Sequence, residues 1–423
     1  MNANGESNPR RERGLIIAAT KKIERKDKDT WIVPSQTTRA RYIVRPDGER
    51  PYCSCPDHQE LNVRCKHLFA VSYVQQRELF PDGTEQVTQT VTVTEKVRKS
   101  YPQQWDKYNA AQCCEKEKFL HLLHDLCNGI EEPPQVKGRK RVPLRDAVFC
   151  AVYKIYGGFS SRRFSTDVRE ACDKGFISKA IHFNSVLKAL ENPDLFPVLK
   201  SLIVKSSLPL KTVETTFAID SSGFTGSRFL RWHDEKWGNA RTGASWVKAH
   251  VCAGTKTHVI TAVEILDESA ADSPQLKPLS VQTAKSFKID QVVGDKAYCS
   301  KNNFEIVQDL GGTGFFAFKS GTTGEVGGLF AKMFHYFSFK QEEFLAKYHT
   351  RSNIESVFSM VKRKFGDSVR SKTEVAAKNE VLAKLLAHNL TVLIMEMHVL
   401  GIEPENWGDD NTSPATLSMT RPA

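Results

Sequence analysis

Four residues of types that bind zinc lie in two pairs near the start of the sequence. They follow the pattern C-x-C-x9-C-x-H and are Cys53, Cys55, Cys65 and His67. Thiolates and imidazole suit tetrahedral zinc, and four protein ligands make a closed structural site for one ion. The first pair follows a predicted hairpin, and the second opens a predicted helix whose positive end favours thiolate. The alternatives are a set of ordinary buried cysteines and a competing ligand, His58.

Three acidic residues in the second half of the chain are placed to bind magnesium. Asp220 follows the β-rich apolar run 215–219, and Asp295 follows a second short apolar run. Glu355 lies on a long helix predicted from about residue 342 to 365. Acids at the carboxyl ends of strands face the sheet edge where ligands usually bind. Carboxylates that cluster without cations repel one another, so this arrangement predicts two bound Mg²⁺ ions, which Mn²⁺ could replace. Two such ions are typical of sites for in-line phosphoryl transfer.

The helix that carries Glu355 also carries a polar stripe. Tyr348, Arg351, Glu355 and Lys362 stand at offsets 0, 3, 7 and 14. At ~100° per residue they fall within about 60° of one another on the helix surface. Arg351 and Lys362 could therefore hold DNA phosphates beside the acids. For an isolated helix, a solvated charged stripe is the alternative interpretation.

The charge balance supports a polyanionic partner. Lys and Arg number 60 against 49 for Asp and Glu, which gives a net charge of +11. The excess is uneven, since the interval from Lys137 to Arg163 holds eight basic residues against one acid, Asp146. Nucleic acid is the first candidate, and a solvated basic face is the alternative.

Other features narrow the class further. The ten cysteines do not read as a disulfide framework. A second group with ligand-compatible spacing lies in a leucine-rich helix, where core packing is the preferred interpretation: Cys113, Cys114, His121, His124 and Cys127. The aromatic residues near the first acid are candidates for stacking on a flipped base, although core packing is preferred for Trp232: Phe224, Phe229 and Trp232.

Polar residues interrupt the longest apolar stretch, 382–400, and the first residues lack a secretory h-region. We expect a cytoplasmic protein with no membrane span.

Two family resemblances rest on these residues. The Cys/His pattern, within about 14–74, resembles the SWIM zinc finger, which implies a DNA- or protein-binding module. The series Tyr348, Arg351, Glu355 and Lys362 resembles the signature of DDE transposases of bacterial insertion sequences, in the insertion-sequence-four-like group. The pairing of Asp295 with Tyr298 three residues later is similar to the second-acid motif of that family, and Asp220 is similar to its first acid. This resemblance covers about 144–397.

The transposase resemblance implies a catalytic site and its partners. Asp220, Asp295 and Glu355 would be the metal-binding catalytic acids, and Tyr348, Arg351 and Lys362 would contact transposon-end DNA. It further implies double-stranded element ends and target DNA as partners, a homodimer on that DNA, and a bacterial, nucleoid-associated location. Two alternatives remain: a metal-dependent nuclease on the same fold, which cuts without joining, and a non-catalytic DNA-binding regulator.

The predicted fold class is multidomain, α+β or α/β. A three-strand meander followed by helix, strand, helix, strand and helix is the order of an RNase H-like mixed sheet. The predicted segments are a zinc-stapled ββα module at 1–80, a linker at 81–104, a helical DNA-binding or dimerisation region at 105–211, an RNase H-like catalytic domain at 212–400 and a loose tail at 401–423.

Overall fold

The chain divides into two compact units, residues 1–102 and 103–423. The computed structural model describes residues 9–36, 38, 40–47, 50–79, 85–89, 104–135, 138, 140–226, 246–319, 322, 325 and 327–402. The predicted linker and the predicted tail lie largely outside these residues. Both units combine helices with sheets, so the predicted multidomain α+β class is confirmed.

The first unit packs helices on a small antiparallel sheet. Its helices are α1 (Pro9–Thr20), α2 (Pro56–Leu61) and α3 (Lys66–Val74). The sheet runs in chain order through β1 (Glu24–Arg25), β2 (Trp31–Pro34), β3 (Arg41–Arg45) and β4 (Tyr52–Cys53). Alternate residues of β2, Trp31 and Val33, are buried, as expected of a strand with one covered face. Gly14 lets α1 approach α3 closely, because a Cβ there would lie 2.6 Å from the Cβ of Phe69.

The end of α3 differs from the sequence prediction. The apolar pattern after Cys65 predicts a helix that continues to Leu79, but the helix ends at Val74, and Gln75 has extended dihedral angles. Strand β5 (Gln75–Leu79) pairs antiparallel with β6 (Glu85–Gln89). Backbone pairing with a later segment thus overrides the local helical pattern.

The second unit contains the mixed sheet that the sequence predicts. Its strands are β7 (Thr216–Gly226), β8 (Trp246–Gly254), β9 (Ile260–Asp267), β10 (Gln291–Gly294), β11 (Thr313–Phe316) and β12 (Ser368–Val369). The spatial order is β11-β10-β7-β8-β9, and β12 pairs with β7. The meander β7-β8-β9 is antiparallel, whereas β10, β11 and β12 are added parallel. This is the RNase H-like order, with β12 as a short strand that the sequence did not predict.

Helices cover this sheet and precede it in the chain. They are α4 (Trp105–Asn128), α5 (Leu144–Gly157), α6 (Ser165–Asp173), α7 (Phe183–Leu190), α8 (Leu195–Ser207), α9 (Leu276–Ala284), α10 (Lys301–Asp309), α11 (Gly328–Phe339), α12 (Gln341–Tyr348), α13 (Ser352–Phe365) and α14 (Glu374–Leu400). None of the described helices has the length and apolarity that crossing a membrane requires.

Helix α14 is the centre of the second unit. Residues 379–390 are buried without interruption, and the helix contacts α4, α5 and α8 as well as the sheet. Its Asn389 bridges two neighbours, because Nδ2 donates to the carbonyls of Ile203 (3.2 Å) and Ile260 (2.7 Å). The helices before residue 211 and the sheet after it therefore share one hydrophobic core.

The helix predicted over 342–365 is divided in two. A 3-10 turn, His349–Arg351, separates α12 from α13. Hydroxyl groups bond to backbone carbonyls at this turn, from Thr350 to Lys347 (2.7 Å) and from Ser352 to His349 (3.0 Å). Such side-chain bonds compete with the regular helical ladder, and short 3-10 stretches are common between helices.

Candidate active site and candidate metal centre

The first unit brings the four predicted zinc ligands together. All four are buried, and their ligand atoms lie within 4.8 Å of one another. The Nδ1 atom of His67 lies 3.8 Å from the Sγ of Cys53 and 4.0 Å from the Sγ of Cys65. Ligands around tetrahedral zinc, with bonds of about 2.0–2.3 Å, stand about 3.3–3.8 Å apart. The donor set and its spacing are consistent with zinc.

Three backbone elements hold the four ligands, and α3 supplies the second pair, with His67 in its first turn. Cys53 ends β4, while Cys55 and Cys65 are the residues that precede α2 and α3. A hydrogen bond from the Cys53 thiol lowers the pKa of Cys65 to about 4, and burial raises the pKa of Cys55. The competing ligand, His58, is outside the cluster, with its Nδ1 2.7 Å from the carbonyl oxygen of Val63.

The second Cys/His group is spread over a packed helix. Cys127 is buried in the core, and the Nδ1 of His124 lies 2.9 Å from the carbonyl oxygen of Phe176. Cys113 is exposed, whereas the Sγ of Cys114 lies 3.4 Å from a ring nitrogen of His398. Within the described part of the chain, these residues do not gather into a metal-binding group.

In the second unit, two predicted acids meet at one edge of the sheet. The parallel pairing of β10 with β7 ends at Gly294 opposite Ile219, so Asp295 and Asp220 follow side by side. Backbone N–H groups fix both side chains. Ser221 donates to Asp220 Oδ1 (2.8 Å), and Ala297 donates to Asp295 Oδ1 (2.8 Å).

Arg351 links the first acid to the third. Its guanidinium contacts Glu355 Oε1 at 2.6 Å and Asp220 Oδ2 at 3.5 Å. Burial raises the pKa of Asp220, and the charge of Asp295 adds to this effect, whereas Arg351 opposes it. Arg351 is thus a cation that contacts two of the three carboxylates.

The remaining residues of the stripe, Lys362 and Tyr348, make other contacts within the second unit. Lys362 donates to the Ser222 hydroxyl (2.7 Å) and stands over the buried ring of Phe224 at 5.3 Å. Burial lowers the pKa of Lys362. Tyr348 is half-buried at the end of α12 and packs against the core. The other two aromatic candidates for base stacking lie outside the described residues: Phe229 and Trp232.

The basic run before the sheet is only partly on the surface. Lys154 is buried in α5, and burial lowers its pKa. The acid of this run, Asp146, is also buried and accepts the backbone N–H of Ser178 (3.0 Å). Lys137 and Arg139 lie outside the described residues.

Sequence reasoning missed a polar cluster beside Asp220. Asp272 Oδ1 accepts hydrogen bonds from the Ser221 hydroxyl (2.9 Å) and the Lys248 ammonium (2.8 Å). The fully buried His250 ring lies 3.5 Å from the same oxygen. The buried hydroxyl of Tyr298 has no hydrogen-bond partner among the described residues, and burial raises its pKa, with nearby carboxylates adding to the effect. Asp272 lies in a loop without periodic pattern, so no sequence signal marked it.

One comparison with known proteins bears on this site. Residues 211–390, less than half of the chain, match the family described as Transposase DDE domain. The matched segment includes the complete mixed sheet and the acids Asp220, Asp295 and Glu355. Comparisons with curated proteins and with solved structures gave no match. The match supports a DDE transposase, which belongs to the polynucleotidyl transferases and acts on DNA.

Proposed function

We propose that this protein is a DNA transposase that cuts the ends of an insertion sequence and joins them to target DNA. The observation that carries the proposal is the meeting of Asp220 and Asp295 at adjacent strand ends, with Arg351 joining Asp220 to Glu355. The match of this segment to a transposase domain supports the same assignment. We assign Asp220, Asp295 and Glu355 as the catalytic acids.

The oxygen donors of these three acids fit Mg²⁺, with Mn²⁺ as a substitute. Two bound ions would supply activation of the attacking oxygen and stabilisation of the leaving oxygen. The chain itself contributes orientation, because backbone N–H groups hold Asp220 and Asp295 before any substrate binds. Arg351 keeps Glu355 directed towards Asp220, and Tyr348 and Lys362 contact the backbone of the element end.

The reaction has two steps of the same type. Water attacks a phosphodiester phosphorus at the element end, the bond from phosphorus to the 3′-oxygen breaks, and a 3′-OH is released. That 3′-OH then attacks a phosphorus of target DNA and displaces its 3′-oxygen. One phosphoester bond forms for each that breaks in the second step, so it needs no external energy source and no covalent protein–DNA intermediate.

The rest of the chain serves DNA handling in this proposal. The Cys/His cluster holds one structural zinc in a SWIM-type finger, which grips DNA or a partner protein. Two element ends must be held together for joining, so we propose a homodimer on DNA. The setting is the bacterial cytoplasm, at the nucleoid.

A cleavage and joining assay tests the proposal. The substrate is a plasmid that carries the DNA ends flanking this gene, with Mg²⁺ or Mn²⁺. Wild type is compared with Glu355→Gln and with Glu343→Gln, because the side chains of Glu355 and Glu343 are 61% and 60% exposed. We expect cleavage and strand transfer by wild type and by Glu343→Gln, and neither by Glu355→Gln.

The other outcomes point to the rival functions. Cleavage without joined products would replace the transposase with a nuclease on the same fold. Binding of the ends by wild type and Glu355→Gln, with cleavage by neither in Mg²⁺ or Mn²⁺, would overturn catalysis and favour a DNA-binding regulator.

A further inference from the structure

Ser221 connects the first acid to a carboxylate that the proposed mechanism does not use. Its backbone N–H donates to Asp220 Oδ1 (2.8 Å), and its hydroxyl donates to Asp272 Oδ1 (2.9 Å). Successive side chains of a strand point to opposite faces, so Asp272 acts on β7 from the face opposite Asp220. The link joins two residues that are 51 positions apart in the sequence, Ser221 and Asp272.

Asp272 is itself fixed in place. Lys248 on β8 donates to Asp272 Oδ1 (2.8 Å) and to the carbonyl of Ala270 (2.8 Å), which ties the loop after β9 to the sheet. The buried His250 ring, opposite Ser221 in the strand register, lies 3.5 Å from the same carboxylate oxygen. The Asp272 side chain is 29% exposed and held by two donors, unlike a mobile surface acid.

Asp272 remains ionised in this setting. Burial acts to raise its pKa, but hydrogen bonds from Lys248 and Ser221 outweigh it, so the pKa is lowered overall. An ionised acceptor makes the bond from the Ser221 hydroxyl stronger than a bond between neutral groups.

We propose that Asp272 is a positioning residue for the phosphoryl-transfer site, acting through Ser221 to hold Asp220 in its metal-binding orientation. The inference rests on the proposed function, since it assigns Asp220 to that site. Groups that hydrogen-bond to metal-binding residues orient them, and their loss typically lowers metal affinity or activity about 10–100-fold. A loss of this size is expected here because the link is a short chain of two hydrogen bonds.

Three variants and a control distinguish a positioning role of Asp272 from a purely structural role. Ser221→Ala removes the link, Asp272→Ala removes the acceptor, and Asp272→Asn keeps an oxygen that accepts from Ser221. The control is Asp267→Asn at the end of β9, whose side chain is 76% exposed and paired with Lys378. We expect kcat for end cleavage to fall about 10–100-fold in both alanine variants and less in Asp272→Asn. KM for the DNA ends should stay within about twofold, and the control should match wild type.

A second readout does not need activity. The Mg²⁺ concentration that gives half of the maximal rise in unfolding temperature should increase about 10–100-fold in Ser221→Ala and Asp272→Ala. Equal Mg²⁺ midpoints and equal kcat in wild type and variants would overturn the inference. So would a much larger loss in Asp272→Asn than in Ser221→Ala, since that pattern belongs to a metal ligand. If kcat falls only in proportion to the unfolded fraction measured for each variant, Asp272 has a structural role and the inference is overturned.

The two proposals fail in different ways. If wild-type protein binds Mg²⁺ but cuts no DNA, the proposed function fails, while the Mg²⁺ midpoints of the variants still decide the role of Asp272. If wild type cuts and joins DNA and the variants equal it, only the inference fails.

Discussion

Loss of zinc should unfold the first unit and leave the second folded. Among the described residues, the core of the first unit contains thirteen buried apolar residues, and three of them are the proposed zinc ligands Cys53, Cys55 and Cys65. A core of this size contributes no more than about 3–5 kcal/mol of stability. Structural zinc binds small domains with an apparent free energy of about 10–16 kcal/mol at pH 7. Because the second figure exceeds the first, the unit should not survive without the ion.

Two cysteine variants test this with the same chemical change. Cys65→Ala removes a ligand, whereas Cys127→Ala alters an equally buried cysteine of the second unit. We expect one zinc per chain in wild type and in Cys127→Ala, measured by mass spectrometry of the metal content. Hydrogen exchange should show loss of protection across α3 in Cys65→Ala and in chelated wild type, with α14 still protected.

The reasoning would be refuted by a first unit that keeps its protection after chelation. It would also fail if Cys65→Ala retained one zinc per chain. A joint loss of protection in α3 and α14 would contradict the separate stability of the two units.

Three further predictions concern the second unit. Lys362→Ala should weaken binding to all DNA sequences alike, because one phosphate contact is lost. The slope of log affinity against log salt concentration should fall in magnitude by about 1. An unchanged slope would show that Lys362 does not contact DNA. Burial raises the pKa of Glu396 to about 7 from its ordinary value of 4.5, with the charge of Glu214 adding to the effect. The folded state therefore keeps a proton that the unfolded state releases, so stability falls as pH rises from about 4.5 to 7. After allowance for solvent screening, Glu396→Gln should raise the free energy of unfolding by about 1–2 kcal/mol at pH 8 and by less than half of that at pH 5. Urea denaturation measures both values. Equal gains at the two pH values would contradict the raised pKa of Glu396. Asn389→Leu should cost about 2–5 kcal/mol in the same assay, since the buried N–H and C=O of Ile260 both lose their partner; a neutral effect would show that these groups find another one.

Local sequence patterns predict much of this architecture. The proposed zinc ligands come in two pairs, each separated by one residue, so each pair is close in space whatever the fold around it. The strand order follows from apolar runs and turns, and it brings Asp220 and Asp295 together because parallel strands share an edge. Helical spacing placed Arg351 within reach of Glu355.

The rest depended on contacts between distant parts of the chain. Asp272 reaches Ser221 from a loop after the third strand, and nothing in its sequence surroundings indicates that partner. The end of α3 at Val74 follows from pairing with 85–89, which local propensity cannot foresee. The turn at 349–351 arises from hydroxyl bonds to the backbone, which periodicity does not report.

The central position of α14 has a consequence for synthesis on the ribosome. Helices α4, α5 and α8 emerge early, but the surface that buries their apolar faces is supplied by residues 374–400. Their contacts therefore span up to about 290 positions of sequence, as between Lys107 and the carbonyl of Val399, and contacts of such separation form slowly. The strand pairings described for the first unit, by contrast, join residues within 24–89. The first unit can therefore assemble its Cys/His cluster while most of the second unit is still being translated. The exposed apolar faces of the early helices of the second unit are prone to aggregation until α14 has been synthesised.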